Sequence, residues 1–547
     1  MKGQGFDAVD LSIMWDRLAS ITDEGAAALV RTSFSTLVRE GFDLSVLIFD
    51  ARGRMIAQSQ KCIPVFIGTA SVTLAHMLAK FPGATLHPGD VVISNDPQAG
   101  TGHMYDIAVM RPVFRGDRLV GYAMSITHLP DIGGMGFSAS ATEIYHEGLR
   151  LPVLKLVKAG VLDRDIVELI TMNVRVPEQV IGDIHANLSC TAVVVRHVLD
   201  FLSSYDLADL EGLGDAIIGQ TEGAVRQALL ALPDGDYHAE AEVEAMQEVR
   251  RLVCSVRKRD DRLAIDFAGT EGCVAGGVNV PFPYTRAMAL YAIKCLTTPD
   301  IPNNDGASAP IAVSAPPGCI LNALPPVACA GRHAIGHFVV PLIYRAVADL
   351  VPERVSAASG LIDILTLHGR RDDGSALSAA YFAAGGFGGM SGLDGRQTTP
   401  GSSNMGTTPS EVFEATTGLL VERKALRPDS GGEGEFRGGA GQTVALRNAT
   451  GHDVTVFAMA NRTLFPAEGL FGGRSGAPRE HWIDGRKLSG QGSYRLPPGG
   501  LFTLEQAGGG GYGPPERRPA AAVRRDVADG FLTPERARQV YGVSEES

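Results

Sequence analysis

Glycine constrains this chain more than any other residue. The sequence holds 66 glycines among 547 residues, and the densest runs lie in its C-terminal half: "YFAAGGFGGMSGLDG", "RPDSGGEGEFRGGAGQ", "LFGGRSGAP" and "AGGGGYGPPERRPAAA". Glycine costs backbone entropy inside helices and tolerates turns that other residues do not. A helical bundle is therefore excluded for that half, and strands joined by many turns are expected. The N-terminal half reads differently. Residues 7–40 space their apolar side chains at three and four, a helical period. Similar patterns recur at about 70–80, 163–174, 192–206, 211–231, 283–299 and 334–351. "SVLIFDARGRMIAQS" is two short apolar runs around Ala51-Arg52-Gly53, a hairpin signal that assigns Asp50 to the turn. "YHAEAEVEAM" and "LAIDFAGT" read as sheet.

The expected fold class is α+β: multidomain, with mixed sheets, hairpins and long helices, and a strand- and Gly-rich C-terminal half. The expected divisions are 1–206, 207–352, 353–515 and a tail at 516–547 with a short helix in "TPERARQVYG". "AGGGGYGPPERRPAAA" is expected to be a mobile joint before it. "GGFGGMSGLDG" is expected to be a tight sheet turn rather than an anion-binding nest.

Composition closes several functional classes. Lys and Arg total 49 against 61 Asp and Glu, a net charge of −12 with no basic stripe. Nucleic-acid binding then lacks its electrostatic basis. No apolar run approaches the length of a membrane span, and the N-terminus shows no signal-peptide pattern. The seven cysteines stand singly, without C-x-x-C, which suits free thiols in a reducing cytoplasm. The dipeptide Gly-Lys is absent, so there is no P-loop for ATP; nor is there G-x-S-x-G or H-E-x-x-H.

The chemistry concentrates between residues 94 and 131. "SNDPQAGTGHMYDIAVM" carries His103 and Asp106, and "THLPDIGG" repeats the spacing with His128 and Asp131. Between them "DIAVMRPVF" and "RLVGYAMSITH" flank Gly116-Asp117, a hairpin. A turn centred there sets Asp106 opposite Thr127 and His128 opposite Met104 and Tyr105. Opposed Cβ atoms lie roughly 4.5–5.5 Å apart, so two imidazoles and two carboxylates meet at the hairpin's open end. This donor mix suits Zn, Mn or Fe. The alternative is that these residues cap loops and turns. Asp43, at a helix-to-strand junction, reads first as a turn residue. In "EIYHEGLR", Glu143 is a candidate proton-transfer group or a surface charge. In "GRHAIGH", His333 and His337 stand i, i+4 and are expected to line a pocket or cap a helix rather than bind metal.

Several strings, in order, carry a resemblance: "NDP…GTGHMYDIAVMRPVF", "ATEIYHEGLRLPVLKL", "MNVRVPEQVIGDIHAN", "LRPDSGGEGEFRGGAGQ" and "LFPAEGLFGGRSGAP". Together they resemble the hydantoinase B/oxoprolinase family across nearly the whole chain. The resemblance implies a divalent metal held by His103, Asp106, His128 and Asp43, with Asp131 orienting a ligand or a metal-bound water; Asp131 or Glu143 is then expected to move the proton. It implies a B-type subunit in a hetero-oligomer with a hydantoinase A-type subunit that binds ATP. The activity implied is ATP-dependent hydrolysis of a small cyclic amide such as a hydantoin, oxoproline or lactam. The alternative it implies is the α subunit of an acetone-type carboxylase. The family pattern is closer to "GGTHLPD" where this chain has "GTGHMYD", and carries paired histidines where this chain has "THLPD". These departures fall at the pocket and leave the ring unspecified.

Overall fold

The computed structural model describes residues 6–544. Its fold is α+β, with four sheets and long helices. The first sheet has seven strands, β1 (Leu44–Asp50), β2 (Met55–Gln58), β3 (Val91–Ser94), β4 (Asp106–Arg115), β5 (Arg118–His128), β6 (Leu154–Lys158) and β7 (Val161–Leu162). Their order is β2-β1-β5-β4-β3-β6-β7, antiparallel throughout. β1 reads "LSVLIFD" without polar alternation because both faces are covered, and all seven residues are buried. Leu44, Val46 and Ile48 pack in a core with helices Ala8–Thr32 and Pro177–Ser204. Leu47 and Phe49 face the opposite core, shared with helices Phe66–Lys80 and Phe282–Thr297.

The helical period over 7–40 does not give one helix. The first helix ends at Thr32, where Asp183 Oδ1 accepts the amides of Phe34 (2.7 Å) and Ser35 (3.2 Å). That side chain supplies hydrogen bonds that a continued helix would have made internally, and a separate turn, Thr36–Arg39, leads into β1. The stretch 334–351 is likewise divided, into His333–Gly336 and Val339–Ala346.

The central hairpin forms, but its register differs by one from expectation where it matters. Near the turn Phe114 pairs with Leu119, whereas Val113 pairs with Gly121. Val120 is therefore an extra residue, a bulge that slides the open end. Asp106 pairs with His128, and Ile107 rather than Asp106 pairs with Thr127.

A second sheet spans residues 235–314 in four strands. Two further sheets carry the C-terminal half, built on hairpin Ile362–Arg370/Ala376–Ala384 and on strand Gln442–Asn448. The expected mobile joint is nothing of the kind. Gly508 to Gly511 are buried, and their amides donate to Ala477, Gly439, Ala358 and Arg474 carbonyls. "GGFGGMSGLDG" packs beside them: the Gly386 amide donates to Ala507 and the Gly389 amide to Gly510. A Cβ on Gly386, Gly438, Gly508 or Gly510 would lie 1.7–2.0 Å from a neighbouring carbonyl oxygen. Only glycine lets these backbones approach so closely. The expected tight turn is present at Ser391 and Gly392, where Met390 and Leu393 exchange backbone hydrogen bonds; the glycines around it form a bundle of bare backbone.

Candidate metal centre

Three strands of the first sheet place three side chains in one row. Asp106 begins β4, opposite His128, the last residue of β5. The His128 amide donates to the Asp43 carbonyl (3.3 Å), one step beyond the pairing of Leu44 with Thr127. His103 arrives from the loop before β4. That loop turns at Gly102, where φ is +94° and a Cβ would lie 2.8 Å from the Arg332 side chain. Asn95 fixes the loop's other end, donating to Met104 O (2.7 Å) and Leu149 O (3.0 Å) and accepting the Leu151 amide (2.6 Å).

Donor atoms of His103, Asp106 and His128 all lie within 4.8 Å of one another. Asp43 lines the same cavity. All four are buried. The tautomers follow from the hydrogen bonds. His103 Nδ1 lies 3.1 Å from Ala330 O, and His128 Nδ1 lies 2.8 Å from Leu129 O. A carbonyl only accepts, so both Nδ1 atoms carry the proton and both Nε2 atoms present lone pairs. His103 Nε2 stands 3.0 Å from Asp106 Oδ2, yet it has no hydrogen-bond partner. Two acceptors face one another there, an arrangement that a shared small cation would resolve.

The electrostatics agree with neutral imidazoles beside one ionised carboxylate. Burial, reinforced by Arg332, lowers the basicity of His103 against the pull of Asp106. Burial, with the charge of Arg332 nearby, pushes His128 down to about 3. Burial opposes ionisation of Asp106; with His103 neutral, the permanent charge of Arg332, 2.8 Å away, is what favours the ionised carboxyl. Asp43 moves the other way, well up, because it is buried and faces the Asp106 charge. Two nitrogen lone pairs and two carboxyl groups, all on buried side chains, fit a Zn, Mn or Fe ion.

The other predicted residues stand elsewhere. Asp131 is buried behind the row, where its carboxylate pairs with Arg175 (2.7 Å) and accepts the Gly133 amide (3.2 Å). Glu143 is exposed. Neither lines the cavity. Asp50 is the turn residue expected, accepting the amides of Arg52 (3.0 Å) and Arg54 (2.9 Å). Sequence reasoning missed Arg332 as a site residue. Its Nη2 lies 2.8 Å from Asp106 Oδ2, its Nε donates to Thr101 O (2.6 Å), and its guanidinium stacks 4.6 Å from the Tyr284 ring centre. It missed Glu147 too. That carboxylate accepts the Cys329 and Ala330 amides, each at 2.5 Å, and so fixes the carbonyl that orients His103. No local signal marks either one, since both act across more than 180 residues. His333 and His337 line the cavity, in keeping with the pocket-lining expectation.

The sequence profile of Hydantoinase B/oxoprolinase matches residues 7–515. The chain belongs to this family. Within it, the putative B component of a D-/L-hydantoinase from a Pseudomonas species is 26 % identical, over 98 % of this chain and 95 % of that one. The crystal structure of the ATP-dependent caprolactamase of Pseudomonas jessenii superposes with a TM-score of 0.91 at 25 % identity, covering 99 % of this chain and 97 % of that one. An acetone carboxylase, in its nucleotide-free structure, gives 0.86 at 18 % identity over 97 % of this chain and 79 % of that one, a likeness of fold alone.

Proposed function

We propose that this chain is the metal-bearing B-type subunit of an ATP-dependent hydrolase that opens small cyclic amides. The buried convergence of His103, Asp106 and His128 carries this reading. Two relatives support the reaction class, one named as a hydantoinase component and one described as an ATP-dependent caprolactamase. The nucleotide would sit on a partner of hydantoinase A type, a reading supported by the lack of a P-loop in this sequence. His103, Asp106 and His128 would hold a divalent ion, with Asp43 completing the set. Bound there, the ion would supply Lewis acidity beside the scissile amide. The protein's own part is to keep both Nε2 lone pairs free, hold Asp106 ionised and exclude bulk water. Phosphorylation by the partner would address the resonance of the amide.

Purification with its partner, followed by turnover assays on hydantoins, lactams and oxoproline with and without ATP and bicarbonate, tests the proposal. ATP-dependent, bicarbonate-independent ring opening is expected, and His103→Ala should lower it by at least about a thousandfold, in line with loss of an essential electrostatic group. Turnover without ATP, or full turnover by His103→Ala, would refute it. A requirement for bicarbonate would move the chain to the carboxylase alternative.

A further inference from the structure

His333 and His337 stand beside the three candidate ligands without belonging to that set. They are 4 % and 5 % exposed. Neither ring nitrogen of His333 has a hydrogen-bond partner, and His337 Nδ1 has none. Both side chains line the cavity that holds His103, Asp106 and His128. Their rings stand 5.8 Å apart, and the His333 ring lies 5.6 Å from Phe137. Buried polar groups normally find partners, so unpartnered ones facing a cavity point to a ligand that supplies them. Burial keeps both imidazoles neutral. A neutral imidazole offers one donor and one acceptor. A lactam or hydantoin ring forces its amide to be cis, which sets N–H and C=O side by side on one edge. On the free ring, before the partner activates the amide, that edge complements these two histidines.

The same cavity offers little to a charged substituent. Among the described residues that line it, Arg332 is the sole permanent cation, and it is already committed to Asp106, Thr101 and Tyr284. The remaining lining is largely apolar, including Val65, Phe137, Ile364 and Met405. The divalent ion proposed for this cavity would have its charge offset by Asp43 and Asp106, so a further carboxylate buried here would lack a counter-charge of its own and bear a large desolvation penalty.

We propose that His333 and His337 read the cis-amide edge of an uncharged ring, so that the substrates are lactams or hydantoins without a carboxylate. This rests on the proposed function and narrows it. The probes are 2-pyrrolidinone and 5-oxoproline, which differ by one carboxylate, with hydantoin and caprolactam alongside, assayed on the complex with its ATP-using partner. We expect kcat/KM for 2-pyrrolidinone to exceed that for 5-oxoproline by at least about tenfold. His333→Leu and His337→Leu should each raise KM for the uncharged ring roughly tenfold, the scale of one lost hydrogen bond with its partner left unpaired. Neither should lower Tm, since no protein partner is lost, and His333→Gln should restore part of the affinity. ATP- and metal-dependent turnover that favours 5-oxoproline would overturn this inference and leave the proposed function standing. So would leucine variants that keep KM, or that lose Tm as a structural histidine would. Turnover of none of the four rings would remove both.

Discussion

Glu147 shows how a residue can govern a site it never touches. Its carboxylate clamps the amides of Cys329 and Ala330, and Ala330 O sets the tautomer of His103. Burial raises its pKa from 4.5 to about 7, against the lowering effect of those two amides. Between these values the unfolded chain has released the proton and the folded chain retains it. Folding stability therefore falls as pH rises through that window, by an amount of the order of 3 kcal/mol. Glu147→Gln keeps an acceptor oxygen and removes the charge. Its Tm should exceed that of the wild type at pH 8, and the decline between pH 5 and 8 should flatten. Thermal unfolding across that range measures both. Glu143 supplies the contrast. It is exposed and lines no cavity, so Glu143→Gln should leave turnover within about twofold of wild type and Tm unchanged. A loss comparable to that of His103→Ala would place Glu143 back in the chemistry.

At the scale of elements, the glycines divide into two kinds. Gly509 lies within the bare-backbone bundle, where a Cβ would meet Phe387 O at 2.1 Å. Backbone cannot swing aside as a side chain does, so Gly509→Ala should cost more than about 4 kcal/mol and leave little folded protein at 37 °C. Gly219 sits mid-helix in Glu211–Leu230, with nothing within 4 Å of its would-be Cβ. Gly219→Ala should stabilise the chain by about 0.5–1 kcal/mol through helix propensity and a less free unfolded state. Comparing the two variants by thermal melt or limited proteolysis separates close packing from conformational freedom. The Val120 bulge is a second device of this scale. By sliding the hairpin one residue it puts Asp106 and His128 directly opposite each other, on the face that carries the cavity.

For the whole molecule, the site joins parts of the chain that are far apart in sequence. Strand ends near 43, 106 and 128 line the cavity together with Tyr284, with Arg332, His333 and His337, and with residues as far on as Met405. A ligand that binds only this assembled state stabilises the entire fold by mass action. Adding Zn, Mn or Fe to chelator-treated protein should raise Tm, in proportion to about 2.7 kcal/mol at a hundredfold excess over Kd. His103→Ala and Asp106→Asn should abolish the rise, and elemental analysis should find one equivalent of metal in the wild type. An equal rise in the variants would assign the metal to another place. Among the described residues no helix is long and apolar enough to cross a membrane.

Periodicity and turn chemistry determined the fold class, the central hairpin and the pairing of H-x-x-D with the strand that returns to it, because these depend on neighbours in sequence. Asp50 was legible as a turn residue for the same reason: its partners are Arg52 and Arg54. Contacts made at long range decided the rest. The one-residue register at Asp106 hangs on a bulge that no residue type announces. The end of the first helix hangs on Asp183, about 150 positions away. Arg332 and Glu147 enter the site across more than 180 residues. The glycine runs forecast an absence of helix, yet their packing against one another appears only when the backbones meet. Local patterns fix which way a chain turns; which side chains share a dry volume, and with what charge, is set by folding distant segments together.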